Sequence, residues 1–307
     1  MKSNKPFHIK TITEFHRFRE LPKPEHPLIS IVDFSTAQDP PEEMNGQTWI
    51  QDFYCIAIKH GIKGKLKYGQ QKYDFDEGVM SFSAPGQLFG FDADSIAFKP
   101  TSGWMLLIHP DFLWNTSLGK NIKNYEYFSY SIHEALFLSG KEETVINNII
   151  ENIRQEYHSN IDKFSPGIII SQIETLLNYA DRYYQRQFLT RKITNHQILD
   201  QLERILAEYF NSDDLIIKGL PTVHYIADSL NLSSGYLSNL LKALTGQSTQ
   251  QHIHDKLIEK AKEKLSTTSL SVSEIAYSRG FEHSQSFSKL FKSKTRQSPL
   301  EFRTSFN

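Results

Sequence analysis

The chain has 307 residues, with 34 lysines and arginines against 35 aspartates and glutamates, a formal charge of −1. Its length points to two domains, and 39% hydrophobic with 22% charged residues excludes a disordered chain. The single cysteine, Cys55, excludes an intramolecular disulfide framework and a multi-cysteine zinc site; set in Phe53-Tyr54-Cys55-Ile56-Ala57-Ile58, it reads as a buried structural thiol. The opening MKSNKPFHIK is polar, with no signal-peptide character, and no segment approaches the roughly eighteen apolar residues of a membrane span. A cytoplasmic protein without a membrane partner is therefore expected. Near-neutral net charge does not advertise nucleic acid, yet phosphate contacts need only a local basic face.

To about Pro110 the chain is a series of short apolar or alternating runs. They are Ile31-Val32-Asp33-Phe34, Phe53 to Ile58, Lys65 to Tyr68, Tyr73-Asp74-Phe75, Val79 to Phe82, Leu88 to Phe91 and Trp104 to Ile108. Gly69, Gly78, Pro85-Gly86, Pro100 and Pro110 punctuate them. Regular short strands with turn signals predict a β-sandwich or barrel to about residue 115.

From about 140 to 190 the period changes to that of a helix. Val145, Ile146, Ile149, Ile150, Ile153 and Tyr157 recur at three- and four-residue spacing. A second helix opens at Ser165-Pro166 and carries Ile169, Ile173, Leu176, Leu177, Ala180, Tyr183 and Tyr184. Packing on the β domain and pairing with a second copy both fit these faces. Thr190 to Asn195 is polar and reads as the linker between domains 1–190 and 191–307.

Beyond it nearly everything reads as helix: His196 to Tyr209, Pro221 to Leu230, Ser233 to Leu244, Gln250 to Leu265, Ser273 to Ser278 and Glu282 to Lys294. Within this set lies an internal repeat. Ile226-Ala227, three residues, then Asn231-Leu232 and a helix matches Ile275-Ala276, three residues, then Gly280-Phe281 and a helix. Leu237-Ser238 and Leu241 correspond to Phe287-Ser288 and Phe291, with one residue inserted. Two helices crossing at a tight turn need a small residue on the first, here Ala227 and Ala276. They need a turn residue tolerant of positive φ, here Asn231 and Gly280. Apolar residues must then seal the underside of the second helix. One such pattern is weak evidence; two, joined by a long amphipathic helix, predict tandem helix-turn-helix units at about 221–245 and 272–296.

At these residues the chain resembles the AraC/XylS family of bacterial transcription regulators. The resemblance runs from about Leu220 to Arg303 and includes Ser233-Ser234-Gly235-Tyr236-Leu237-Ser238, Leu244-Thr245-Gly246, Ser273-Glu274-Ile275-Ala276, Gly280-Phe281, Phe287 to Lys292 and the closing Ser298-Pro299-Leu300-Glu301-Phe302-Arg303. More loosely, the run ending Phe82-Ser83-Ala84-Pro85-Gly86-Gln87 is similar to the cupin-like sensor domain in front of many such regulators. The implied architecture is multidomain α+β: a cupin-like β-barrel or sandwich with following helices, then an all-α domain with two helix-turn-helix units on a linker helix. Two departures stand out. Arg296 occupies a usual glycine position, which points to a looser turn or an added phosphate contact, and Lys256 stands where arginine is common.

The resemblance implies that each second helix enters a major groove of double-stranded DNA. Candidate base-reading residues are Ser234, Gly235, Ser238 and Asn239 on the first, and His283, Ser284, Gln285, Ser288 and Lys289 on the second. By hydrogen-bond inventory Asn239 and Gln285 suit adenine edges and Lys289 suits guanine; the serines are permissive. Lys242, Lys292, Lys294 and Arg296 are the phosphate candidates, while Lys260, Lys262 and Lys264, interleaved with Glu259 and Glu263, read as a solvated face. Lys289 to Arg296 holds four cations and no anion, so the electrostatic footprint lies on the second unit.

The family also implies a small-molecule effector, a homodimer and RNA polymerase as further partners, without a cofactor or catalysis. The rivals are a metal-dependent cupin enzyme, a DNA alkylation-repair protein and a purely architectural DNA-bending protein. The first typically needs a His-x-His pair with further ligands, whereas His60 and His109 stand alone and His252 and His254 diverge on a helix. The second needs several cysteines. Tyr54, Tyr68, Tyr73, Phe75, Phe82, Phe89 and Trp104 read as core more readily than as a pocket, and no cluster of charged residues marks an effector site.

Overall fold

The structure, a computed structural model, describes residues 6–35, 48–60, 67–68, 71–72, 78–90, 102–131, 134–159, 162–212 and 214–305. Two compact units divide the chain, Met1–Gln187 and Phe188–Asn307.

The first unit contains strands β1 (Phe7–Ile9), β2 (Ile29–Asp33), β3 (Thr48–Gln51), β4 (Tyr54–His60), β5 (Lys67–Tyr68), β6 (Gln71–Lys72), β7 (Val79–Ser83), β8 (Leu88–Gly90), β9 (Ser102–Ile108) and β10 (Leu136–Phe137). They form a five-stranded sheet in the order β10-β7-β4-β9-β2, a three-stranded sheet β1-β3-β8 and the ribbon β5-β6. Among the described residues these sheets stay separate, so the expected β architecture is present as layers and not as a closed barrel. The runs at 31–34, 53–58, 79–82, 88–91 and 104–108 overlap strands. Tyr73, Phe75, Phe91 and Pro100 lie outside the described residues.

Register determines what each face of the large sheet does. Cys55, Ala57 and Lys59 lie opposite Ser83, Ser81 and Val79 on one side and Leu107, Met105 and Gly103 on the other. Residues directly opposite share a face, and this one shares a core with Ile9, Trp49 and Phe89 of the small sheet. The reverse face carries Tyr54, Ile56, Ile58, Met80, Phe82, Trp104 and Leu106, all buried. Helix α1 (Ile12–Phe18) was not foreseen from the sequence; its capping box of Thr11 and Glu14 starts it, and Ile12 and Phe15 join the inter-sheet core.

After a short helix α2 (Ser117–Asn121), two long helices serve the reverse face. Helix α3 (Gly140–His158) buries the expected stripe Ile146, Ile149, Ile150, Ile153 and Tyr157. Asn147 on it accepts from Trp104 Nε1 at 2.9 Å, and Glu143 contacts His60 Nε2 at 2.8 Å. Helix α4 (Ser165–Thr190) stacks Tyr184 on Tyr127 at 5.5 Å, and Tyr127 lies 4.5 Å from Phe82. Thus Tyr54, Phe82 and Trp104 are core, as expected of alternating aromatics. Cys55 has its thiol pushed up to about 11 by burial, in keeping with a structural role.

The stretch expected as the linker is largely helical. Thr190 ends α4 and helix α5 (Lys192–Asn211) starts two residues later. The stretch contains neither glycine nor proline, and Asn195 is buried with its side-chain amide donating to the Phe188 carbonyl. The Asn195 amide thereby caps a backbone carbonyl near the end of α4.

The second unit continues with α6 (Asp214–Lys218), α7 (Val223–Ser229), α8 (Ser234–Thr245), α9 (Thr249–Thr267), α10 (Val272–Ser278), α11 (Ser284–Thr295) and α12 (Pro299–Thr304). It has two cores. Leu202, Leu206, Ile226, Leu237 and Leu241 meet Ile253 and Leu257 of α9 in one; Ile275, Ala276, Phe287 and Phe291 meet Ile258, Ala261 and Leu265 of α9 in the other. Residues four apart advance about 40° around a helix, so a single row drifts from one partner to the next along α9.

Candidate nucleic-acid interface

The two turns of the second unit are built alike to the level of individual hydrogen bonds. In the first, Leu230, Asn231 and Leu232 donate their N–H groups to the carbonyls of Ala227 (3.0 Å), Asp228 (3.0 Å) and Ala227 (2.9 Å). In the second, Arg279, Gly280 and Phe281 donate to Ala276 (3.1 Å), Tyr277 (3.0 Å) and Ala276 (3.1 Å). This is a Schellman closure, with Asn231 (φ 55°) and Gly280 (φ 77°) in the left-handed position that the sequence assigned to them. Ala227 and Ala276 are fully buried at the crossings. Gly280 has a second reason to lack a side chain: a Cβ there would lie 2.7 Å from the Leu215 carbonyl oxygen and 3.0 Å from Gly219 Cα.

The correspondence continues past the second helix of each unit. Gly246 (φ 74°) ends α8 with its N–H on the Lys242 carbonyl at 3.0 Å, and Arg296 (φ 63°) ends α11 with its N–H on the Lys292 carbonyl at 2.8 Å. The departure at Arg296 has therefore not loosened the turn; arginine adopts the glycine conformation. Ser248 with Gln251 and Ser298 with Glu301 then form capping boxes that open α9 and α12. Hydrogen bonds from Ser298 hold the Glu301 carboxyl below its ordinary range. Helix α12 stands after the second unit as α9 stands after the first, and Arg303 ties it to the Leu265 carbonyl at 3.2 Å and the Leu270 carbonyl at 2.5 Å.

The outward surfaces of α8 and α11 differ. On α11, Gln285, Lys289 and Lys292 are exposed, as are Arg296 at its end and His283 at its start, while Ser284 and Ser288 are half-buried. His283 is the N-cap residue and not part of the helix, which begins two residues later than the sequence reading placed it. Ser286 and Ser293 are also exposed, and sequence reasoning missed both. On α8, Ser234, Gly235, Ser238 and Asn239 are half-buried and Lys242 is exposed. Ser238 Oγ lies 3.2 Å from Oγ1 of the fully buried Thr249, so it serves the junction of α8 with α9. Tyr236, the counterpart of Ser286, is buried edge-on against Phe188 with centroids 5.1 Å apart.

The four cations expected at the end of α11 are not equivalent. Lys294 Nζ lies 2.7 Å from Asp255 Oδ1, a pair that joins α11 to α9. Lys289, Lys292 and Arg296 have no ion-pair partner among the described residues. On α9, Lys256 and Lys260 pair with Glu259 and Glu263 at 3.0 and 3.2 Å, and Lys262 lies 5.6 Å from the Phe302 ring centroid. His252 and His254 turn to different partners, Thr245 Oγ1 at 3.0 Å and Gln250 Nε2 at 2.9 Å. Among the described residues no three His, Cys, Asp or Glu side chains converge as a metal site.

Residues 226–305 match the family model described as a helix-turn-helix domain. The chain is similar to the Msm operon regulatory protein of Streptococcus mutans, 24% identical over 83% of this chain and 85% of that one. It is 38% identical to the raffinose operon transcriptional regulatory protein RafR of Pediococcus pentosaceus, over 27% of this chain and 30% of that one. Among solved structures, the C-terminal domain of the two-component response regulator yesN from Fusobacterium nucleatum is 33% identical, over 34% of this chain and 95% of that one, with a TM-score of 0.30.

Proposed function

Since the chain belongs, through residues 226–305, to the AraC-type helix-turn-helix transcription regulators, we propose that α8 and α11 enter two successive major grooves on one side of a DNA duplex. The chain is a sequence-specific DNA-binding transcription regulator. The observation that carries the two-groove reading is the duplicated turn: two closures with the same hydrogen-bond pattern set α8 and α11 against a single spine, α9. At 1.5 Å per residue its 19 residues extend about 28 Å, close to the ~34 Å repeat of B-DNA.

Within this reading Asn239, Gln285 and Lys289 contact base edges, with Ser234, Gly235, His283, Ser284 and Ser288 close to the groove floor or its walls. Lys242, Lys292 and Arg296 contact phosphate. Lys294, engaged with Asp255, orients α11 on its spine, and Ser238 holds α8 on α9. The first unit is a cupin-like sensor whose effector changes the affinity of the second for DNA, and the regulator acts in the cytoplasm, as a homodimer that contacts RNA polymerase. No helix among the described residues is long and apolar enough to cross a membrane.

Selection of random duplex oligonucleotides by the full chain tests the proposal. Enrichment of a bipartite site with half-sites about one helical turn apart is expected. Enrichment of bent sequences without a shared motif would replace it with architectural binding.

A further inference from the structure

The repeat that builds the two turns breaks at one position. Leu230 precedes Asn231 in the first turn as Arg279 precedes Gly280 in the second. Both donate a backbone N–H to the alanine carbonyl of their own turn, at 3.0 and 3.1 Å. The Leu230 side chain then packs on the core that holds α7 and α8. Arg279 is buried as well, but it reaches away from its own helix-turn-helix unit: its Nη1 donates to the Phe210 carbonyl of α5 at 3.4 Å. That carbonyl is among the last four of α5, which have no partner within the helix and form its negative end. The Arg279 Nε is buried without a hydrogen-bond partner among the described residues, and Glu263 of α9 acts on the guanidinium with opposite charge.

Around Arg279 the two helix-turn-helix units touch directly. The Gly280 backbone lies on the segment that follows α5, so close that a Cβ would fall 2.7 Å from the Leu215 carbonyl oxygen and 3.0 Å from Gly219 Cα. Gly219 is itself held, since Tyr209 Oη donates to its carbonyl at 3.0 Å. Phe281 and Leu290 pack against both cores of the helical domain. These apolar contacts bring the two units together but have no direction. A guanidinium donating to a fixed carbonyl does have one. For stability alone, a buried arginine with an unpartnered Nε is a poorer choice than the leucine at the matching position of the first turn.

We propose that Arg279 is a positioning residue for DNA recognition: by gripping the end of α5 it fixes α11 relative to α8 and so sets the half-site spacing that the protein accepts. Helix α9 runs through both cores and is one attachment between the two helix-turn-helix units. Arg279 and Gly280 make a second, and two attachments remove a rotation that one allows. One base pair added between half-sites turns the second by about 34° and moves it by about 3.4 Å. A reader pinned at two places does not follow that displacement, whereas one pinned only through α9 follows it in part. The inference rests on the two-groove reading of α8 and α11 and names the residue that sets the gap between them.

The test uses the full chain and the bipartite duplex it selects, together with duplexes whose spacer is one base pair shorter or longer and duplexes with either half-site scrambled. Affinities are read by fluorescence anisotropy of the labelled DNA. The wild type should lose at least about tenfold on either altered spacer. Arg279→Leu, the residue of the first turn, and Arg279→Met, each with the far-UV circular dichroism of the wild type, should reduce that loss to about threefold or less. Their affinity for a duplex with one half-site scrambled should stay within about twofold of the wild type. Arg279→Lys keeps a donor toward Phe210 and should keep the wild-type spacing preference. An equal loss on every duplex by folded Arg279→Leu and Arg279→Met would make Arg279 merely structural and overturn the proposal. A spacing preference unchanged in those variants, or relaxed as far in Arg279→Lys, would overturn it too. A wild type that selects no bipartite site sinks the two-groove reading itself, whereas a bipartite site whose spacing the leucine variant still enforces removes only the role of Arg279.

Discussion

Arg296→Gly separates backbone strain from DNA contact at one position, because the two effects have opposite signs. Arg296 holds φ 63° and ψ 5°, the conformation that Gly246 adopts without strain at the matching end of α8. For a residue with a Cβ this conformation costs about 1–2 kcal/mol. Glycine removes that cost but gives the unfolded chain about 0.4–1 kcal/mol more conformational freedom. The net expectation is a stabilisation of about 0.5–1 kcal/mol. Arg296→Ala loses the same charge and keeps the strain, so the two variants should differ by roughly 1 kcal/mol with glycine the more stable. Urea unfolding followed by far-UV circular dichroism reports helix loss, and tryptophan fluorescence serves as an internal control because every tryptophan lies in the first unit. Both variants should weaken DNA binding equally and lower the slope of log affinity against log salt by about 0.9, the contribution of one phosphate contact. Alanine as stable as glycine would refute the strain argument. An unchanged salt slope would remove Arg296 from the phosphate set.

Lys289→Ala should weaken specific binding by about 1–3 kcal/mol and relax the preference at one base pair; an equal loss on every sequence would assign Lys289 to phosphate instead. Gly280→Ala should destabilise the second unit by more than about 1 kcal/mol, since strain at φ 77° adds to the clash with Leu215 and Gly219, whereas Asn231→Gly should be nearly neutral. Denaturant midpoints distinguish the two turns. His16 is buried, within 2.5 Å of the Pro22 carbonyl and 2.9 Å of Ser30 Oγ, and burial depresses its pKa. Its unfolded form therefore binds the proton more readily. The first unit should be at full strength above the ordinary value of 6.5 and lose stability as pH falls below it through the folded pKa. Tryptophan-monitored unfolding at pH 7.5 and 5.5 should show this loss, and His16→Gln should flatten it.

The second unit was legible because its signals are local. Ala227 and Ala276, Asn231 and Gly280, and the apolar pairs Leu237–Leu241 and Phe287–Phe291 each act within a few residues of a turn whose geometry admits few alternatives. Helix ends were less so. His283 reads as helical by periodicity, but the last unit begins from an N-cap, and α12 was visible only as a motif until Arg303 was seen holding it to the end of α9. The pairing of Lys294 with Asp255 joins residues on different helices, so a run of four cations overstated the free charge on α11. In the stretch 190–195 polarity was legible and the helical backbone was not. Polarity reports solvent exposure of side chains, whereas the absence of glycine and proline lets the backbone stay helical.

By itself the amino-acid order determined the tandem turns, the residues with positive φ that close them, and the alternation that makes the first unit a layered β structure. Each follows from backbone sterics and from periods of two or 3.6 residues, which a single segment expresses. Tertiary structure alone decided that one row on α9 serves two cores, and that Tyr236 is covered by Phe188 while its counterpart Ser286 is open. It alone brought Arg186 of α4 onto Glu142 of α3 and the Phe137 carbonyl of β10, each at 2.7 Å. No sequence period links those residues. Their meeting depends on how two helices lie against a strand, and that is set by packing across the whole first unit.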